Sequence, residues 1–131
     1  MEAPEIGFLG SLILTIALLL GAAIAGRSRR IRVHIVFVAL SLAGLGTAVY
    51  FAIRTGELYD LESAGLITPI HLNIARITSL LYLWPLVTGP LAWGGRIDRR
   101  MHRIGAWLVL VMTLVATVTG VAMLWSAERL V

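Results

Sequence analysis

Three histidines and one arginine are the residues of this chain whose types and positions could do chemistry. They are His34, His71, His102 and Arg76, each set in or beside a long apolar run. His34 and His102 follow arginines in the same way, as Arg32-Val33-His34 and Arg100-Met101-His102. Helical spacing puts His34, Ser41 and Ala48 on one stripe and His102, Ala106, Thr113, Thr117 and Gly120 on another. If these small, polar stripes face each other, two imidazoles at similar depth point into a helical bundle. Two such imidazoles could bind the iron of a haem b axially, with nearby arginines pairing its propionates. The competing reading is interfacial: histidine is polar at its tip, and these two lie at the depth of the headgroups.

His71 belongs to the other end of the chain's apolar segments, after Thr68-Pro69. Arg76 lies one and a half turns further on, and Asn73 falls on nearly the same face as Arg76. An arginine within a membrane span costs at least ~2.5 kcal/mol unless it snorkels or finds a partner. Glu57, Asp60 or Glu62 could be that partner. Alternatively, His71 and Arg76 form a clamp for a haem propionate, a lipid headgroup or a quinone oxygen, walled by Tyr50, Tyr82 and Trp125. Tyrosine and tryptophan are also ordinary interface anchors.

Other chemistries lack their parts. There is no cysteine, so disulfides, iron–sulfur clusters and thiolate metal sites are excluded. The spans contain no paired carboxylates, the chain has no phosphate loop, and Ser11, Ser41 and Ser79 have no evident base. These features argue against hydrolases and proton-driven transporters, and no metal can be assigned. An enzyme is not the expectation.

The elements that carry these residues are set by hydrophobicity. Of 131 residues, 59% are hydrophobic and only 14% charged, and the mean hydropathy is +0.91. A soluble domain has about a quarter of its residues charged, so lipid is the expected solvent. Four apolar runs, about 6–26, 33–53, 67–93 and 104–125, each reach the ~20 residues that cross a bilayer core. Backbone polar groups must pair internally in lipid, so the runs should be helices. The expected fold is all-α, an integral membrane up-down bundle of four transmembrane helices, with residues 1–131 as a single domain. The first run follows an acidic start, Met1-Glu2-Ala3-Pro4-Glu5, and is too long for a signal peptide; it reads as a retained helix.

All eleven basic residues are arginines, and the net charge is +4. They cluster at the ends of apolar runs, where they meet lipid headgroups, which speaks against nucleic acid as a partner. Arg27, Arg29, Arg30 and Arg32 fill the first connection, and Arg96, Arg99, Arg100 and Arg103 the third; the middle one mixes Arg54 with Glu57, Asp60 and Glu62. The positive-inside rule then places loops 27–32 and 94–103 in the cytoplasm and both termini on the periplasmic side of a bacterial inner membrane. Short loops imply two antiparallel helical hairpins, faintly repeated. Small residues suggest helix contacts at Gly21, Ala22, Ala25 and Gly26, and at Ala39, Ala43 and Thr47. Trp84-Pro85 and Gly89-Pro90 should kink the third helix and loosen its inner end.

On the basic loop before His34, on His71, and above all on Arg100-Met101-His102-Arg103-Ile104-Gly105 followed by Thr119-Gly120-Val121, the chain resembles the CtaM-like proteins. These are small four-helix bacterial membrane proteins associated with maturation of haem–copper cytochrome oxidases. The resemblance implies a role near a respiratory or electron-transfer complex, with His34, His71 and His102 as the functional histidines and other membrane subunits as partners. Many relatives carry another histidine near the outer end of the second helix, where this chain reads Tyr50-Phe51-Ala52-Ile53-Arg54. The run His102-Arg103-Ile104-Gly105-Ala106 is also similar to the anchor subunits of succinate dehydrogenase, which bind haem b and quinone. A non-catalytic accessory subunit and a quinone-binding anchor are the alternatives.

Overall fold

The computed structural model describes residues 3–130. It is all-helical apart from two short strands, and its four membrane-length helical segments coincide with the four apolar runs. Helix α1 spans Ala3–Arg27 and α2 spans Ile31–Gly56; the third run is divided into α3, Ile67–Leu81, and α4, Leu83–Trp93; α5 spans Arg99–Ser126. Helices α1, α2 and α5 outlast their hydrophobic runs by a few residues because interfacial polar residues continue the backbone ladder, whereas the third span coincides with its run. The strands are β1, Tyr59–Asp60, and β2, Glu128–Arg129.

The described residues group into two compact units rather than one. The first contains α1, α2, β1 and the C-terminal segment from Ser126; the second is Gly65–Trp125.

In the first unit α1 and α2 form an antiparallel hairpin. Gly7 lies under Phe51, Thr15 against Gly44, Gly21 under Phe37 and Gly26 under His34, so the paired positions run in opposite directions. The contact is narrow because small residues face it. A Cβ on Gly44 would stand 2.6 Å from Thr15 Oγ1, and Thr15 is fully buried. Close approach is how helices associate where lipid removes the hydrophobic drive. Ala22 and Ala25 are buried in this contact, as their spacing suggests. Ala39, Ala43 and Thr47 are exposed instead. The inward stripe of α2 is Ser41, Gly44 and Ala48, roughly opposite on the helix.

The second unit is also antiparallel. Its hydrogen bonds descend one side while climbing the other: His71 to Thr119, Thr78 to the Met112 carbonyl, Tyr82 to Thr113, Thr88 to His102. The break at Tyr82 falls one turn before the first proline. Pro85 has no N–H to offer the Leu81 carbonyl, and the ladder interrupts there. Gly89-Pro90 does not break the helix, since Pro90 lies inside α4. The C-terminal end of α4 is also closed by a defined turn. Gly95, at φ 70, closes it with Arg96 N donating to Leu91 O at 2.9 Å, a helix-terminating turn that favours glycine.

Candidate functional site

All three histidines are half-buried, and each is held by a partner in its own hairpin. His34 and His102 are both the fourth residue of their helices. The Nδ1 of His34 stands 2.7 Å from the Ala22 carbonyl oxygen. A carbonyl only accepts, so Nδ1 carries a proton. The ring edge lies over Gly26, where a Cβ would come within 3.1 Å of Nδ1.

His102 repeats the arrangement. Its Nδ1 is 3.3 Å from Thr88 Oγ1, which donates its own hydrogen to Trp84 O at 2.8 Å and so must accept from the imidazole. The ring lies on Gly89, where a Cβ would meet Cε1 at 3.3 Å. His71 follows the same logic on α3. Its Nδ1 donates to Thr119 Oγ1 at 3.1 Å, because Thr119 donates to Val115 O at 2.9 Å, and its ring covers Gly120. The stripes read from the sequence are therefore real, but each faces the neighbouring helix of its own hairpin.

No family profile, no curated protein and no solved structure matches this chain.

The residues must therefore be weighed on their own geometry. Arg76 and Asn73 are exposed, on the side of α3 turned away from α5, whereas His71 turns toward α5. The structure does not bring His71 and Arg76 into one clamp. Of the proposed aromatic walls, Tyr82 is buried and donates to Thr113 at 3.0 Å, while Tyr50 and Trp125 are exposed. Glu57 pairs with Arg54 at 2.8 Å, and Asp60 accepts from the Glu62 backbone at 3.1 Å. Among the described residues, no group of three or more histidines and carboxylates could hold a metal ion.

One polar centre escaped the sequence reading. Glu5 in the first turn of α1 is 6% exposed, accepts from the Tyr59 hydroxyl at 2.6 Å, and has Arg129 at 3.9 Å. Strands β1 and β2 pair antiparallel above it, Tyr59 opposite Arg129, and Leu130 N donates to Leu58 O at 2.9 Å. Only the burial of Glu5 had a signal in the sequence. Glu5 shares the helical stripe of Phe8, Ser11, Thr15 and Ala22, all buried.

The remaining polar side chains of the spans turn inward on their own backbone. Ser11, Thr15, Ser41, Thr47, Thr78, Ser79, Thr113 and Thr117 each donate to a carbonyl three or four residues earlier. Thr55 is 1% exposed, and its hydroxyl has no partner among the described residues.

Proposed function

We propose that this chain is a multi-pass accessory subunit of a bacterial inner membrane, with no cofactor of its own, that packs against a larger electron-transfer complex. The observation that carries the reading is the containment of polar chemistry. Every imidazole has a backbone or hydroxyl partner within its own hairpin, and most serine and threonine hydroxyls of the spans donate to a carbonyl of their own helix. What the helices turn outward is largely apolar, including Ile13, Ile24, Val36, Ile53, Leu80 and Val118, with Asn73 and Arg76 of α3 as polar exceptions. Such a molecule offers surface rather than a reaction centre. The class of partner rests on the resemblance at Arg100–Gly105 to CtaM-like proteins, which points to a haem–copper oxidase or its assembly. On the arginine counts, loops 27–32 and 94–103 face the cytoplasm and both termini the periplasm.

A second reading is favoured by one observation. All three imidazoles carry their proton on Nδ1, bound to an oxygen, which is the way ligand histidines are oriented by their outer partners. His34 or His102 would then be the residue that holds a haem iron. Haem supplies electron transfer when bound; the residues here would supply an axial nitrogen and its orientation. A quinone-binding anchor has no such support, because His71 and Arg76 diverge.

The experiment is purification of a tagged chain from its native membrane in mild detergent. Co-elution with a haem–copper oxidase in fixed ratio, together with a flat reduced-minus-oxidised spectrum once the chain is separated, supports the accessory reading. A homogeneous protein that elutes alone with haem b bands would replace it by the second.

A further inference from the structure

The turn between α1 and α2 holds Arg27, Arg29, Arg30 and Arg32 within six residues, and all four are exposed. No acidic residue occurs between Glu5 and Glu57, and none of the four makes an ion pair among the described residues. Four like charges are also held together. The turn is closed by Arg30 N donating to Ala25 O at 2.9 Å and Arg29 N to Gly26 O at 3.2 Å. Arg29 itself adopts φ 55, the only positive value at a non-glycine residue among those described.

The other arginine turn gives an internal comparison. It is closed by the same pair of bonds, Arg96 N to Leu91 O at 2.9 Å and Gly95 N to Ala92 O at 3.3 Å. There the left-handed position is Gly95, as backbone sterics favour. That turn also carries its own anion, Asp98, whose Oδ1 accepts from Arg100 N at 2.9 Å. The first turn thus has an arginine where glycine is easier and no carboxylate among its cations. A residue held in a backbone conformation that glycine adopts more easily points to a use for its side chain.

We propose that the turn 27–32 binds the phosphodiester of an anionic membrane lipid, with Arg29 as one of its ligands. The guanidinium fork matches two phosphate oxygens at once, which an ammonium cannot do. The turn also sits at the end of two membrane-length helices, at the level where lipid phosphates lie. A headgroup without a cation of its own satisfies this charge; a zwitterionic headgroup carries its own choline and neutralises less of it.

The test uses the full chain in nanodiscs of phosphatidylcholine, of phosphatidylcholine with phosphatidylglycerol, and of phosphatidylcholine with added inorganic phosphate. Retained lipid is counted by native mass spectrometry, and the Tm is read in each. Phosphatidylglycerol should be retained preferentially and raise the Tm. R29G should lower that preference about fivefold, the loss expected for one surface arginine, while leaving the Tm in phosphatidylcholine unchanged or higher because the backbone conformation is relieved. R29Q should lose the same preference without that gain, and R99Q should keep it. Equal retention of the two lipids by the unsubstituted chain, or an R29G protein with an undiminished preference, overturns the proposal. So does an equal effect of inorganic phosphate, which would make the ligand a free anion.

Discussion

His34 donates from Nδ1 to the Ala22 carbonyl at 2.7 Å across the first hairpin, over a glycine, Gly26, that leaves room for the ring. A Cβ there would lie 3.1 Å from Nδ1. Gly26→Ala should therefore shift the imidazole by a few tenths of an ångström and weaken its bond to the carbonyl. Weakening a half-buried hydrogen bond costs about 0.5–1.5 kcal/mol. The substitution should lower the Tm in detergent, and restoring space with Gly26→Ala/His34→Ala should recover part of the loss. An unchanged Tm for the single variant would show the bond contributes nothing.

Glycine substitutions elsewhere should separate packing from propensity. At Gly44 a methyl would approach the fully buried Thr15 Oγ1 to 2.6 Å, and overpacking of this kind costs roughly 1–3 kcal/mol. At Gly10 and Gly46 nothing lies within 4 Å, so alanine should instead stabilise by about 0.5–1 kcal/mol through helix propensity. Thermal unfolding in one detergent would rank the three. Gly44→Ala falling on the same side as Gly46→Ala would refute the interhelical register.

How far these elements were legible depends on which force set them. The four spans were, because hydrocarbon imposes length and apolarity on each; the runs at 33–53 and 104–125 grew into Ile31–Gly56 and Arg99–Ser126 only through their interfacial ends. The stripe Ser41–Ala48 and the shared placement of His34 and His102 were legible for the same periodic reason. Contact choice was not. Ala39, Ala43 and Thr47 look as suited to a helix interface as Ser41, Gly44 and Ala48, and only packing against α1 decides between them. The Glu5–Tyr59–Arg129 centre was hidden because it joins residues more than fifty positions apart through a two-residue strand pair. No local pattern marks a strand that short.

That centre should hold the C-terminal strand in place. Tyr59→Phe removes the hydroxyl that donates to the buried Glu5 carboxylate at 2.6 Å. Leaving a buried carboxylate short of a donor costs more than losing a neutral bond, about 1.5–3 kcal/mol. Hydrogen exchange at Leu130 N, bonded to Leu58 O, should accelerate, while amides in the middle of α5 keep their protection. Equal protection at Leu130 in both proteins would mean that the strand pair holds without the centre.

Pro85 should be the whole cause of the break in the third span. With alanine there, an N–H becomes available to the Leu81 carbonyl, and α3 and α4 should join through Tyr82. Straightening turns Tyr82 away from Thr113, its acceptor at 3.0 Å, so the gained backbone bond is offset by a lost buried one. Slower exchange of residues 81–86 at nearly constant Tm is the expected signature. Pro90→Ala should leave the break where it is, since the helix already continues through that position.

Arg76 gives the sharpest test of the outward faces. It lies about 14 Å of helix beyond the start of α3, and it is exposed with no ion pair among the described residues. If lipid surrounds it, Arg76→Leu removes a penalty of about 2.5–3.5 kcal/mol and should improve membrane insertion of the isolated span. The second hairpin should be unaffected, since His71, Thr78 and Tyr82 occupy the opposite side. If a larger complex covers that face, the same substitution strips an interfacial charge from its partner and co-purification falls while insertion still improves. Gain of insertion with undiminished co-purification would assign Arg76 to the lipid and move the partner to another face. Loss of both would show that the arginine is bonded inside the chain, against the geometry described.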